Sequence, residues 1–235
     1  MQVGTALKMH NVKRKTYTRL FRFVSMLLTL VVIGVYLNIH YQRYLTLSCL
    51  RSAHEIGGSA LNYIQGAKCL FDTTPAPVTG FGWRVVSRAY VEASPIPNEE
   101  VTRQLPASIY NLADRQNRST TIFAVEGEKT AFSEENRCRV AELPRTTLLF
   151  LSGRASDEPW YRARNVSLNQ LMCNKAAGDL LGEACMGVTV AVFIDGDAWA
   201  MKSSVPCDLL GACANVEDPG VSAEAWNSLK KYRIK

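Results

Sequence analysis

The sequence predicts an α+β chain: a single N-terminal transmembrane helix, then one disulfide-braced extracytoplasmic domain with an antiparallel sheet. Three observations support this prediction. Residues 23–42 form an uncharged, largely aliphatic run; all seven cysteines follow it; and an Asp-Gly pair near residue 195 separates two strand-like runs. No internal repeat or low-complexity tract divides the chain after the apolar run, which indicates one α+β domain.

The uncharged run is long enough to cross a lipid bilayer. At about 1.5 Å per residue, twenty residues span about 30 Å, the thickness of the hydrocarbon core. A cleaved signal peptide is the competing interpretation. However, its basic region would be unusually long, and no A-x-A-like cleavage site follows the run. We therefore expect an uncleaved signal-anchor at residues 23–42, after a basic cytoplasmic tail at residues 1–22.

The charge distribution orients this anchor. The basic residues of the tail are Lys8, Lys13, Arg14, Lys15, Arg19 and Arg22. Only Arg43 and Arg51 lie just after the run, so the positive-inside rule places the N-terminus in the cytoplasm. The formal charge of +6 belongs entirely to the tail, because 21 basic and 21 acidic residues follow it. A basic nucleic-acid-binding face on the main domain is therefore not expected.

The cysteines predict disulfide bonds rather than a metal centre. Zinc sites use short, paired spacings of nitrogen or sulfur ligands, but the chain has no C-x-x-C, and only His54 follows the anchor. Thiol redox catalysis would also favour a C-x-x-C pair. The disulfide candidates are Cys69, Cys138, Cys173, Cys185, Cys207 and Cys213, and the pairs we predict are Cys69–Cys138, Cys173–Cys185 and Cys207–Cys213. Cys49 is left over as a free thiol, a buried packing residue or an intermolecular crosslink.

Apolar periodicity predicts the remaining elements. Residues 43–71 show steps of three and four, which indicates a helical stalk with a kink at Gly57-Gly58, followed by the domain at residues 72–235. The other expected elements are a strand at 81–91, a loop at 94–98, a weak helix at 99–114, a hairpin from 120–125 and 129–132, a strand at 146–151 and helices at 165–181 and 221–232. The clearest signal is a second hairpin, 188–194 with 197–201, in which Asp195-Gly196 predicts a type I′ turn.

Residues 190–197 (VAVFIDGD) resemble the opening strand of NYN-type nuclease domains, in which a carboxylate after an apolar strand binds a metal. The resemblance implies a metal-binding aspartate at this position. That family takes its other acids from a long stretch after the strand, whereas 38 residues follow Asp197 here, and Ala198 replaces the partner asparagine. An Asp-Gly hairpin is therefore the preferred interpretation, and we expect neither a metal site nor a cofactor.

No set of residues predicts a catalytic centre. A Ser-His-Asp or Cys-His arrangement needs a histidine base, and His54 lies on the predicted stalk. Ser228 and Lys231 form an S-x-x-K match within a lysine-rich helix that is typical of a solvated surface. Asn117-Arg118-Ser119 and Asn165-Val166-Ser167 match the N-glycosylation acceptor, which matters only in a eukaryotic host.

Two classes of function are compatible with these features. The first is a non-catalytic, single-pass inner-membrane component of a bacterial envelope assembly of the pilus, secretion or conjugation type. Its C-terminal domain would lie in the periplasm or outside and contact other envelope proteins. The layout is similar to that of type IV pilin-like proteins, but the prepilin cleavage glycine and the glutamate of the apolar segment are missing. The second is a membrane-tethered extracytoplasmic enzyme or ligand-sensing domain, with a eukaryotic type II membrane glycoprotein as a variant of either.

Overall fold

The computed structural model describes residues 3–72, 83–84, 86–87, 121–154, 165–182 and 187–234, with side chains from residue 21 onward. The chain divides into two compact units, Met1–Tyr44 and Leu45–Lys235. Helix α1 (Val3–Ala67) contributes to both. In the described residues, the second unit adds a five-stranded sheet, four shorter α-helices with both ends described, and two 3-10 turns at Val140–Glu142 and Lys230–Tyr232. The predicted mixture of helices and strands, with one long apolar N-terminal helix, is confirmed.

In the first unit, α1 exposes apolar side chains on all its sides. Large hydrophobic residues from Phe21 to Tyr44 are between 47% and 73% exposed. By length and composition, this is the one helix in the described part of the chain that could cross a membrane. A helix that is apolar all round is typical of a membrane span or of a deeply buried core element.

The sheet of the second unit has the strand order β3-β1-β2-β4-β5. Its strands are β1 (Ile122–Glu126), β2 (Leu148–Ser152), β3 (Val166–Ser167), β4 (Val188–Phe193) and β5 (Ala198–Lys202). Neighbours pair antiparallel except β1 and β3, which are parallel with Val125 opposite Val166. The predicted antiparallel sheet is therefore wrong in this one respect. β2 runs antiparallel to β1, so β2 ends at the side of the sheet where β1 begins. The next strand, β3, can then run parallel to β1 along the edge of β1 that faces away from β2.

Both faces of this sheet are covered. One face packs against the second part of α1, whose Cys49, Ala53, Ile56 and Ala60 are at most 2% exposed and share a core with the strands. The opposite face packs against α2 (Leu168–Cys173), α4 (Cys207–Ala214) and α5 (Pro219–Leu229), while α3 (Ala177–Leu181) lies beside α2 and β4. Every residue of β4 is consequently buried. Residues that alternate along the strands belong to two separate clusters, as expected for a sheet between two helical layers.

The segment that we expected to be a stalk is a core helix of the domain. Helix α1 continues through Gly57-Gly58 without interruption. A β-carbon at Gly57 would lie 2.7 Å from the carbonyl oxygen of Gly196. Glycine at this position therefore allows the helix to contact the β4–β5 turn closely, and this packing role replaces the predicted kink.

Two strand predictions were wrong. Trp83, Arg84, Val86 and Ser87 are helical rather than extended. β1 forms at the start of the predicted first hairpin, but residues 129–132 are turns, and β1 pairs with β2 instead. The remaining parts of the 81–91 prediction, and the expected loop at 94–98 and helix at 99–114, lie outside the described residues.

The helix predicted at residues 165–181 is divided into three short elements. Val166–Ser167 is strand β3, and Ser167 then begins α2 through a capping box with Gln170. Asn174 ends α2 in an extended conformation, and α3 begins after Ala176. A serine followed three residues later by glutamine is a helix-start signal, and it outweighed the apolar periodicity here.

The second hairpin and the last helix are confirmed, with different ends. The β4–β5 turn has a positive φ at Gly196 (+85°) but not at Asp195, whereas a type I′ turn requires positive φ at both residues. The turn type was therefore predicted wrongly. Helix α5 begins at Pro219 after the N-cap Asp218, and a 3-10 turn over Lys230–Tyr232 follows it. Asp-Pro is a recognised helix-start signal that we did not use.

Candidate functional site

One predicted disulfide is confirmed. Cys69 and Cys138 are bonded, and their Cα atoms are 4.0 Å apart. Cys69 follows the end of α1 closely, and Cys138 lies in the loop that precedes β2. The backbone N–H of Leu70 donates a hydrogen bond to the carbonyl of Arg137 in the same loop (2.7 Å). The carboxylate of Asp72 forms an ion pair with the guanidinium of Arg137 (2.5 Å). The bond therefore fixes the end of the sheet-packed part of α1.

The other two predicted pairs are wrong, because Cys173, Cys207 and Cys213 are free thiols. Cys207 and Cys213 lie on the same helix, α4. Six helical residues rise about 9 Å, beyond the roughly 7 Å between Cα atoms that a disulfide can bridge. Cys173 is exposed at the end of α2, and its expected partner Cys185 lies outside the described residues.

Of the alternatives for Cys49, the free thiol was wrong and the buried position was right. Cys49 is fully buried beneath the sheet and is disulfide-bonded, with its partner outside the described residues. The sequence placed this cysteine next to the membrane on a stalk. Since the helix packs on the sheet from this turn onward, the Cys49 side chain belongs to the domain core instead.

The two buried free thiols are poor nucleophiles. Burial raises the pKa of the Cys207 thiol to about 11, with smaller contributions from the nearby carboxylates of Asp179 and Asp208. Burial alone raises the pKa of the Cys213 thiol to about 12. Reactive cysteines have lowered pKa values and some exposure, so both thiols are packing groups near neutral pH.

The aspartates of the NYN-like segment build a turn. The carboxylate of Asp195 accepts a hydrogen bond from the backbone N–H of Asp197 (3.0 Å), and the carbonyl of Asp197 accepts one from Phe193 (2.9 Å). Both side chains are exposed. Nowhere in the described ranges do three or more His, Cys, Asp or Glu side chains gather as a metal-ion site would require.

The other candidate polar residues are either exposed or engaged in contacts within the fold. His54 is exposed on α1. The Lys231 ammonium lies 5.4 Å from the centre of the Tyr232 ring. The carboxamide of Asn165 accepts a hydrogen bond from the Trp83 indole (3.1 Å) and donates one to Glu126 (2.9 Å), while Ser167 caps α2. Both ends of the Asn165 side chain are therefore engaged, which argues against its glycosylation in the folded domain.

A cleft of about 580 Å³ lies at one end of the sheet. Its lining residues are Phe123, Arg154, Asn165, Val166, Gln170, Gly178, Asp179, Leu180, Leu181 and Gly182. Phe123 and Leu181 supply apolar surface, while the exposed Arg154 and Asp179 supply opposite charges. This is the arrangement that could hold a small ligand with both apolar and charged groups.

Sequence reasoning did not find this cleft. Its residues come from β1, the end of β2, and the segment from β3 to α3, and no motif links them. Gly153 contributes indirectly, because a β-carbon there would lie 2.7 Å from the Leu181 carbonyl oxygen. A glycine before an arginine at a strand end is too common to have indicated this contact.

No protein-family model, no curated protein and no solved structure matches the chain.

Proposed function

We propose that the chain is a single-pass membrane component of a bacterial envelope assembly, of the pilus, secretion or conjugation type. One observation carries the proposal: α1 exposes large apolar side chains on all sides from Phe21 to Tyr44. Such a surface is unfavourable in water by roughly 25 cal/mol per Å² of apolar area, and a bilayer removes that cost. The basic tail supports an N-terminus in the cytoplasm, with the second unit outside.

Contact with other envelope proteins is the role that we propose for the second unit. Its polar candidates have local structural roles: Asp195 in a turn, Asn165 in a side-chain network, and Cys207 and Cys213 in the core. A disulfide at Cys69–Cys138 supports an oxidising compartment such as the periplasm. The charge balance of the chain after the tail supports protein partners over nucleic acid.

A ligand-sensing or enzymatic domain on the same tether is the second candidate. The cleft with Arg154 and Asp179 favours it, because opposite charges near an apolar side chain such as Phe123 can orient a small molecule. Thermal unfolding of the complete protein with a small-molecule library would distinguish the candidates. A ligand whose stabilising effect disappears in Arg154→Ala would favour sensing or catalysis over a purely structural role.

The anchor is tested by placing charges in the exposed segment. We expect the double variant Leu30→Asp, Ile33→Asp to move from the carbonate-resistant membrane pellet to the soluble fraction. Two aspartates near the centre of a span cost about 6 kcal/mol of insertion free energy. His54→Asp is the matched control, because it adds a charge at an exposed position of the same helix. Equal extraction of the wild type and the double variant would contradict the anchor.

The assembly is tested by gentle solubilisation of membranes that express the complete chain at native levels. We expect other envelope proteins to be retained after chemical crosslinking and to be identified by mass spectrometry. The crosslinks should map to the second unit. Recovery of the chain with no other protein, under conditions that preserve known envelope complexes, would contradict the assembly role while leaving the anchor intact.

A further inference from the structure

Asn38 is a polar residue of the apolar segment whose side chain makes no hydrogen bond to the described part of its own helix. Thr29 donates its hydroxyl to the carbonyl of Ser25 (2.9 Å), and the rings of Tyr36 and His40 lie 4.3 Å apart. Asn38 is exposed, and its carboxamide makes no hydrogen bond within the described part of the chain. A carboxamide offers two N–H donors and one acceptor, so several hydrogen bonds are unmade here.

The position of Asn38 makes these unmade bonds expensive in a bilayer. It lies four residues inside the Gln42 end of the uncharged run, which is about 6 Å along the helix. Transfer of an unpaired amide from water to a hydrocarbon is strongly unfavourable, because the hydrocarbon offers no hydrogen-bond partner. A partner that offers hydrogen bonds to Asn38 inside the bilayer would therefore stabilise the inserted helix.

The residues around Asn38 provide a surface for such a partner. Positions separated alternately by three and four residues form one stripe on α1, which we call the seam. The seam consists of Val24, Leu27, Val31, Gly34, Asn38 and Tyr41. A β-carbon at Gly34 would have no atom within 4 Å, so the helix backbone is open to close approach there. Small residues allow such approach, and polar side chains form hydrogen bonds between membrane helices.

The heptad pattern of the seam favours two parallel helices. Val24, Val31 and Asn38 occupy one set of seven-residue repeats, and Leu27, Gly34 and Tyr41 occupy the other. Branched residues such as Val24 and Val31 in the first set are typical of two-stranded parallel coiled coils, and a single asparagine in that set fixes their register. Copies of one chain insert with the same orientation, so their helices are parallel by necessity.

We propose that α1 pairs with α1 of a second copy of this chain along the seam, with the two Asn38 carboxamides hydrogen-bonded to each other. In a parallel pair, equivalent residues of the first set face each other across the interface. A carboxamide is both donor and acceptor, so two asparagines are complementary without any other group. The proposal rests on the proposed membrane anchor and specifies one partner of its apolar segment.

The test measures Förster transfer between donor and acceptor fluorescent proteins fused to the N-terminal tails of complete chains in membranes. We expect efficient transfer for the wild type and for Asn38→Gln, which retains a carboxamide. We expect Asn38→Leu to raise the dimer dissociation constant roughly three- to thirtyfold, the effect of losing one or two interhelical hydrogen bonds. Gly34→Leu should also weaken transfer by blocking close approach.

A matched control keeps one asparagine in the segment and moves the carboxamide. The double variant Asn38→Leu, Ile39→Asn turns the amide by about 100° out of the seam, and we expect it to associate as weakly as Asn38→Leu. Carbonate extraction of every variant separates this proposal from the anchor: a soluble wild type refutes the anchor. If the wild type is membrane-bound but its Förster transfer equals that of Asn38→Leu, the self-pairing is refuted. Association of the seam only with a different protein also refutes it.

Discussion

The two parts of α1 use apolar residues in different ways. From Phe21 to Tyr44, large hydrophobic side chains are 47–73% exposed on all sides. From Leu45 to Ala67, one face carries Cys49, Ala53, Ile56 and Ala60, which are almost fully buried against the sheet, and Leu47 is the large hydrophobic residue that stays exposed. Exposed polar residues such as His54 and Asn62 occupy the other face.

The difference shows that side-chain size and distribution decide where a helix packs. The first part has large side chains all round, which a two-layer contact with a sheet cannot cover. The second part has small residues on its buried face: Ser52, Ala53, Gly57, Ser59 and Ala60. Small side chains let the helix backbone come close to β4 and the turn that follows it. Each prediction below changes one contact of the sheet-packed part, or of the opposite helical layer, and leaves the exposed part unchanged.

The largest effect on stability is expected from the disulfide. Removal of the Cys69–Cys138 bond by Cys69→Ser, Cys138→Ser should lower the free energy of unfolding by about 4 kcal/mol, because the bond closes a long loop of the unfolded chain. The sequence separation is 69 residues. The measurement is urea unfolding of the complete protein in detergent. Membrane anchoring should be unchanged, because the exposed part of α1 is untouched.

Cys173→Ser is the control for this experiment. Its thiol is free and exposed, so we expect a change within about 0.5 kcal/mol. If the double variant were as stable as this control, the bond would not hold the end of α1 to the loop. The same samples on non-reducing gels should show faster migration for the wild type than for the double variant.

Several elements could be predicted from the sequence because their signals are local. Residues 23–42 predict a long apolar helix from composition alone, and the alternation from Val188 to Phe193 predicts β4. The Cys69–Cys138 pair was also correct. The helix and strand signals depend on neighbouring residues, and no tertiary contact in the described part of the chain overrides them, whereas the two cysteines are 69 residues apart.

The errors arose where long-range packing decides the outcome. Cys49 could not be assigned to the core, because nothing local shows that α1 meets the sheet one turn after Leu45. Gly57 indicated a kink by propensity, but the contact partner is Gly196, far along the chain. The cleft combines Phe123, Arg154 and Asp179 from three segments, and only the folded sheet brings them together.

A smaller change in the free energy of unfolding is expected at Gly57 and Gly58, and its sign should differ between these two adjacent positions. Gly57→Ala should destabilise the protein by about 1–3 kcal/mol, because its β-carbon would lie 2.7 Å from the Gly196 carbonyl oxygen. Gly58→Ala should stabilise it by about 0.5–1 kcal/mol, because its β-carbon meets no atom within 4 Å and alanine favours helix. Thermal unfolding of the two variants gives the comparison. Equal shifts of the unfolding temperature, with the same sign, would mean that helix propensity alone governs the stability of this turn of α1.

The smallest effect concerns the helices on the opposite face of the sheet. The pKa of the Cys213 thiol is raised from 9.0 to about 12 by burial. Below pH 9 this thiol is protonated in both the folded and unfolded states, so it contributes no pH dependence. Above pH 9 only the unfolded state loses the proton, and stability therefore falls as pH rises toward the folded-state pKa. We expect a loss of about 1 kcal/mol from this thiol by pH 10.

The comparison of wild type with Cys213→Ala isolates this thiol, because lysines and tyrosines titrate in both proteins. The variant should be less stable at pH 8, since it leaves a small cavity in the core. The difference between the two free energies of unfolding should then narrow by about 1 kcal/mol between pH 8 and pH 10. A constant difference would show that Cys213 ionises as readily in the folded protein as in the unfolded chain. The layer opposite α1 would then admit water, and close burial would belong to the α1 face alone.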